Sequence, residues 1–215
     1  MKAWLAAIFA MFIVMLPGET LIAQGIAVEP EFRKWDVAGT LGLFGSNRRY
    51  FERTDSYYGD PVTVAGNLDV GRYLTTHVKA DFSVMTTQSR NVYDPGVYSD
   101  QVYSYSLVKA RPTTVAGAVT YQFFENVFAH PYVSAGLALT SIHEERTVYS
   151  LIPPSLINQT TAVSHDRPFQ LSPLVAAGYK SYFNERAFMK SELLFAALPD
   201  RFSYATLRIG FGIDF

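Results

Sequence analysis

Six charged residues, Asp69, Lys79, Asp81, Lys190, Glu192 and Arg208, stand where alternation of polar and apolar side chains would turn them to one common side. Two chemistries fit such a set. Paired carboxylates such as Asp69 and Asp81 can do general acid–base work when they share an accessible cleft. With cations interleaved and little water to hydrate them, the same groups neutralise one another in a buried ionic network. A second candidate is Ser141-Ile142-His143, followed by Glu144, which places a hydroxyl and an imidazole on one side of a strand, as a nucleophile and its base require. The chain has no cysteine, which excludes disulfide scaffolds, thiolate metal sites and cysteine nucleophiles. Its four histidines form no metal-ligand spacing, so neither a metal nor a cofactor is expected.

The elements that hold these residues decide between the two chemistries. From Trp35 onward no stretch sustains apolar residues at helical spacing, whereas alternation with a period of two recurs throughout. Eight strands are expected, at roughly 35–44, 62–73, 78–87, 113–123, 131–141, 171–182, 187–197 and 202–215. Each is near the length of about nine to eleven residues with which a tilted strand crosses a bilayer. Sorting alternate residues gives one uncharged apolar face, running from Val37, Leu41 and Leu43 through Phe82, Val119 and Leu137 to Ile209, Phe211, Ile213 and Phe215. Arg72 shares this parity at a strand end, where its long stem can return the charge to the headgroups. The opposite face carries Asp36, Thr40, Asn67, Thr120, Gln122, Lys180 and Asp214 beside the six charged residues above, mixed with glycine, alanine and serine.

Alternation alone also fits a soluble lipocalin-like barrel, with its apolar face turned inward. The small residues on the polar face discriminate: Gly42, Gly71, Ala116, Ala118, Gly136, Ala138, Gly178 and Gly210 would make a poor solvated surface, but they suit the crowded interior of an eight-stranded barrel. A basic residue facing lipid at mid-depth costs about 2 to 4 kcal/mol, and the apolar face carries none there. The expected fold is therefore all-β, an eight-stranded antiparallel up-and-down transmembrane barrel with charges inside. In its narrow lumen the six charged residues should pair and plug the barrel instead of lining a pore. Folding of the last hairpin about Pro199-Asp200 would put Glu192 opposite Arg208.

Connections between these strands alternate in length. Short ones at Leu74–His77, Phe124–Asn126 and Phe183–Arg186 contrast with longer segments elsewhere, the arrangement of outer-membrane barrels with both termini on the periplasmic side. Among the long segments, 88–112 interleaves Tyr93, Tyr98, Tyr103 and Tyr105 with valine and serine, as a projecting β-hairpin would, and 142–170 carries Leu151, Ile152, Leu156 and Ile157 around Pro153-Pro154. Either could dock a surface ligand. Trp35, Tyr73, Phe123, Phe128, Tyr132, Tyr182, Phe183, Phe188 and Phe215 lie near the periplasmic strand ends, where an interfacial aromatic girdle belongs. Pro173 fits poorly inside a closed ladder and is expected at the external rim, at a bulge or a frayed pairing.

The N-terminus reads as Lys2, an apolar run from Ala3 to Leu16 and a small-residue region at Ala23–Ala27, which is the pattern of a cleavable secretion signal. The organisation expected is a signal peptide at 1–23 with cleavage near 23–27, a short extension at 24–33 and a barrel at 34–215. The formal net charge of −1, with acidic and basic residues nearly balanced, leaves no electrostatic footprint for nucleic acid.

The last segment, Arg208-Ile209-Gly210-Phe211-Gly212-Ile213-Asp214-Phe215, ends a fully alternating strand on an aromatic residue. Arg208, Gly210, Ile213 and Phe215 resemble the C-terminal signal by which the outer-membrane barrel assembly machinery recognises its clients. With His130–Gly136 as a further similar segment, roughly residues 34 to 215 resemble the small bacterial outer-membrane β-barrel family that includes the OmpA-like and OmpX-like proteins. The peptidoglycan-binding domain of full-length OmpA-like proteins has no counterpart in the sequence. The resemblance implies an integral outer-membrane protein of a Gram-negative envelope, in contact with outer-membrane lipid and lipopolysaccharide. It implies a role in envelope integrity or, through loops 88–112 and 142–170, in surface interaction. Two alternatives stay open, a small channel and a lipid A acylhydrolase-type barrel enzyme. Those enzymes resemble His-x-Ser, however, whereas Ser141 precedes His143 here, so no catalytic residue is assigned.

Overall fold

The computed structural model describes residues 34–46, 58–59, 62–94, 98–99, 102–123, 128–152, 157–197 and 203–215. The expected signal peptide and the extension at 24–33 lie outside the described residues. Twelve strands follow in chain order: β1 (Trp35–Ser46), β2 (Tyr58–Gly59), β3 (Val62–Tyr73), β4 (Val78–Thr87), β5 (Arg90–Asp94), β6 (Tyr98–Ser99), β7 (Val102–Gln122), β8 (Ala129–Ile152), β9 (Ile157–Asp166), β10 (Phe169–Tyr182), β11 (Ala187–Ala196) and β12 (Tyr204–Asp214).

Eight of them close a ring. β1, β3, β4, β7, β8, β10, β11 and β12 each pair antiparallel with the next, and β12 returns to β1 through a register running from Asp36↔Asp214 to Ser46↔Tyr204. At the seam Trp35 and Phe215 exchange backbone hydrogen bonds of 2.9 and 2.8 Å, so no strand edge is left unpaired in the wall. The residues forming these strands are rich in Val, Thr, Tyr, Phe and Leu, whose side chains fit a pleated surface buried on one face.

Parity sets the two faces. Leu41, Leu68, Phe82, Val119, Leu137, Val175, Ile209 and Phe211 are exposed on the outside, whereas Asp36, Asp69, Lys79, Lys180, Glu192 and Arg208 are buried within. From Val115 on β7 to Phe123 just past its end, the outward row spans about 26 Å of strand at ~3.3 Å per residue, which at a tilt of about 40° covers roughly 20 Å, most of the ~25 Å apolar band of an outer-membrane barrel.

Two strands outrun the sequence-based boundaries. β7 and β8 stay paired from Gln122↔Tyr132 to Tyr103↔Leu151, far beyond the expected ends at 113 and 141. β5 flanks β7 from Arg90↔Ala110 to Asp94↔Ser106, with the tip pair Tyr98↔Tyr103 beyond it, so segment 88–112 does form a hairpin. β9 flanks β8 through a register with one irregularity at Val148/Tyr149, and a sheet thus rises from one side of the rim. Pro173 lies in register with Leu137, without a bulge, and its carbonyl accepts the Ala197 N–H at 3.3 Å. The amide and carbonyl of one antiparallel residue point to the same neighbour. The missing donor therefore faces β11 just past its last pair, Leu174↔Ala196, at the rim where it is least felt.

Candidate functional site

The lumen holds two ionic clusters. The first is built by Asp69 of β3, Lys190 and Glu192 of β11 and Arg208 of β12. Glu192 lies directly opposite Arg208, whose Nε donates to Glu192 Oε1 at 2.7 Å while the guanidinium reaches Asp69 at 3.3 Å. Lys190 bridges Asp69 and Glu192 at 3.1 Å each, and the Tyr132 hydroxyl donates to Glu192 at 2.7 Å. Two cations thus meet two carboxylates, with every member buried. A cavity of about 20 Å³ beside Asp69, Asp81 and Glu192 has room for roughly one water molecule.

The second cluster lies towards the short turns. Asp36 of β1 accepts from Lys79 of β4 at 2.7 Å and also pairs with Lys180 of β10, which reaches Asp214 at 3.5 Å; Lys79 pairs with Asp81 at 2.8 Å. Thr120 donates to Asp81, and the Tyr182 hydroxyl to Asp214 at 2.5 Å. Lys180 is only 1 % exposed; its ammonium lies 3.9 Å from the Phe188 ring centroid and donates to the Tyr73 hydroxyl at 2.9 Å. Of the six charged residues singled out in the sequence, Asp69, Lys190, Glu192 and Arg208 share the first cluster, while Lys79 and Asp81 sit in the second. Asp36, Lys180 and Asp214 complete the second cluster; alternation puts them on the inner face but does not by itself join them to a network.

Above the charges the interior turns apolar. Phe44, Met85, Ile142, Leu174, Leu194 and Tyr204 are buried in one cluster among alanines, with Phe44 and Tyr204 stacked at 5.1 Å. Lower down, beside Lys190, small residues let the wall and its contents close up: a Cβ at Gly210 would come within 2.6 Å of the Thr40 Cα. The lumen is therefore filled in layers, ionic below and, above, apolar side chains mixed with buried uncharged polar ones such as Thr114, Thr140, Gln170 and Ser172.

The aromatic girdle needs correction. Trp35, Phe123, Phe128, Phe183 and Phe215 are exposed on the outside, but Tyr73, Tyr132 and Phe188 are buried in the lumen, and Tyr182 joins them through its bond to Asp214. Their height was right and their parity was not: Tyr73 shares parity with Asp69, and Tyr132 with Ser134. Of the C-terminal residues, Arg208 and Gly210 face inward, and Ile213 and Phe215 face outward.

Ser141 and His143 lie on the outward face at the far rim from these clusters. Ile142 between them is buried, and Glu144 has its parity, so the carboxylate stands on the other side of the wall from the imidazole. His143 Nδ1 accepts from Arg167 Nε at 3.1 Å. The ring nitrogen that an orienting acid would hold is occupied by a cation, which is not the arrangement of an activated serine.

A closed eight-stranded wall, apolar outside and ionic inside, defines the class of small transmembrane β-barrels. No family model and no curated protein matches the sequence. Among solved structures the chain is similar to the N-terminal β-barrel domain of OprF from Pseudomonas aeruginosa, at a TM-score of 0.53 and 19 % identity over 86 % of this chain and 100 % of that one. It is also similar to the outer-membrane protein OprG of the same organism, at 0.54 and 10 % over 86 % and 97 %, and to Neisserial surface protein A, at 0.52 and 8 % over 84 % and 97 %. The fold is that of the small outer-membrane β-barrels, as the sequence resemblance implied.

Proposed function

We propose that this protein is an integral, non-enzymatic outer-membrane barrel with an occluded lumen, whose work is done by the sheet that β5, β7, β8 and β9 build above the membrane. The short turns and both termini lie on the periplasmic side. The reading rests above all on the unbroken pairing of β7 with β8, which run from one rim of the wall out to Tyr103 and Leu151. Such a sheet is a stiff extension of the barrel, and a stiff platform loses little entropy when it binds. Its outer strand β9 exposes residues 162–166 and offers an edge to which a partner could add a strand. Both lumen layers speak against conduction, and the His143–Arg167 contact speaks against acyl hydrolysis. The leader would direct export, and Arg208, Gly210, Ile213 and Phe215 would serve as the assembly signal.

The test uses a shortened chain in which Glu145 and His165, which face each other in register, are joined by Asn-Gly, a two-residue turn suited to a hairpin. This variant should fold, as judged by heat-modifiable gel mobility, yet fail to restore a deletion strain that the full chain restores. Full restoration by the shortened chain would take the function away from the projecting β8–β9 half of the sheet and defeat the proposal.

A further inference from the structure

We propose that the outward face of the barrel at its extracellular rim holds the phosphate groups of an acylated lipid of the outer leaflet, the chemistry of lipid A. The orientation assumed here rests on the function proposed above.

On β7, β8 and β10 the apolar band ends at Val115, Leu139 and Phe169; Arg167 is the next outward residue beyond Phe169, whereas Arg111 and His143 follow after the uncharged Thr113 and Ser141. Arg111 and His143 are direct partners across β7 and β8. Arg167 stands two residues before Phe169 and donates through Nε to His143 at 3.1 Å, and the His165 ring lies 6.4 Å from that of His143. Lys109 is the next outward residue of β7, so Lys109, Arg111, His143, His165 and Arg167 form one exposed group. Its acids are Glu145, in register with both Lys109 and His165, and Asp166, whose Oδ1 accepts the Arg167 backbone N–H at 2.7 Å. Neither carboxylate forms an ion pair with Arg111 or Arg167 among the described residues.

Both arginines are held in place through Nε alone. Arg111 donates to the Thr87 carbonyl at 3.2 Å and Arg167 to His143, which leaves the Nη ends of both guanidinium groups for an external acceptor. Two such planar forks on neighbouring strands suit phosphate oxygens. Directly below them Phe169 is 70 % exposed, the highest value for any large apolar side chain among the described residues, with Leu171 and Leu139 beside it. A ligand spanning both zones must be anionic at one end and fatty at the other. Among the described residues the arrangement is one-sided: at the same rim the outward residues of β1, β3, β4 and β12 are Gly45, Val62, Thr86 and Ala205, none of them charged. A general attraction for headgroups would not require this asymmetry.

The test measures binding of bis-phosphorylated lipid A to the folded full-length barrel in detergent micelles by native mass spectrometry, with dephosphorylated lipid A and soluble glucosamine phosphate as the other two probes. The double variant Arg111→Ala/Arg167→Ala should bind bis-phosphorylated lipid A about 20- to 30-fold more weakly, since each basic group near a lipid surface accounts for roughly a fivefold effect. The control Arg72→Ala/Arg186→Ala, at the opposite rim, should bind as the parent does. Dephosphorylated lipid A should bind weakly to every form, and glucosamine phosphate should not compete. Unchanged affinity in the Arg111/Arg167 variant, an equal loss in the control, or effective competition by the soluble sugar phosphate would each overturn the site. Folding is followed on the same samples by heat-modifiable mobility: a compact fold with unchanged lipid affinity sinks the site alone, whereas loss of the compact band from the parent sinks the barrel reading and the site with it.

Discussion

Replacing Arg208 with methionine keeps the volume of the side chain and removes its charge, leaving Asp69 and Glu192 to share Lys190. Arg208 is 6 % exposed and its partners 5 % and 3 %, so water cannot take over the lost contacts. Breaking a buried pair from one side costs about 3 to 5 kcal/mol, chiefly because a charge is stranded. Glu192→Gln should cost a similar amount by stranding a cation. The combination of both leaves Asp69 and Lys190, 3.1 Å apart, as a balanced pair. The double variant should therefore be more stable than Arg208→Met alone, with a favourable coupling of roughly 1 to 3 kcal/mol. Urea unfolding in lipid vesicles, followed by the fluorescence of Trp35 and by gel mobility, measures all four corners of the cycle. Additive losses would refute the reasoning, because they would mean that the four groups are hydrated independently and do not neutralise one another.

In the second cluster three carboxylates face two lysines, so Asp36→Asn, which balances them, should destabilise less than Lys180→Met, which leaves three against one; equal unfolding midpoints would contradict this assignment. Tyr73→Phe should lose about 1 to 3 kcal/mol because its hydroxyl accepts from buried Lys180, whereas Phe183→Leu on the outside should be close to neutral by the same unfolding assay. Gly210→Ala should fold poorly, since its Cβ would meet the backbone of Thr40, while Gly117→Ala should fold normally because a Cβ there meets nothing within 4 Å; refolding yields read on gels decide. Planar bilayers containing the parent or Arg208→Ala should show no steady conductance, and an ohmic current in the parent would contradict an occluded lumen.

The wall was legible because one signal, parity, decides both burial and chemistry: apart from Arg72 at a strand end, the outward rows from Val37 to Phe215 are uncharged and mostly apolar, and a one-residue slip would bring charge to lipid. Above the membrane that signal fails. On β7 the outward residues Tyr105, Leu107, Lys109 and Arg111 mix polar with apolar, so nothing in the alternation announced that the strand continues to Val102. For Tyr73, Tyr132 and Phe188 height along the strand points to the girdle, whereas parity, the stronger signal, turns them inward. Within the lumen, Glu192 and Arg208 face each other across a hairpin, a relation that can be counted along the chain. Asp36 and Lys180 are 144 residues apart and meet only across the barrel, where strand tilt and stagger set who faces whom. Local sequence carries no record of that shear, and the second cluster could not be assembled without the closed fold.

The claim on which the rest depends is that the apolar face meets hydrocarbon. A single tryptophan introduced as Leu137→Trp, with Trp4 and Trp35 changed to Phe, reports it when the chain is folded into vesicles whose acyl chains carry bromine near mid-depth. The account predicts strong quenching for this outward position and, in the same background, little for Leu194→Trp inside the barrel. Quenching of the inner position and not the outer one, or a chain that stays soluble and unquenched in the presence of vesicles, would contradict it.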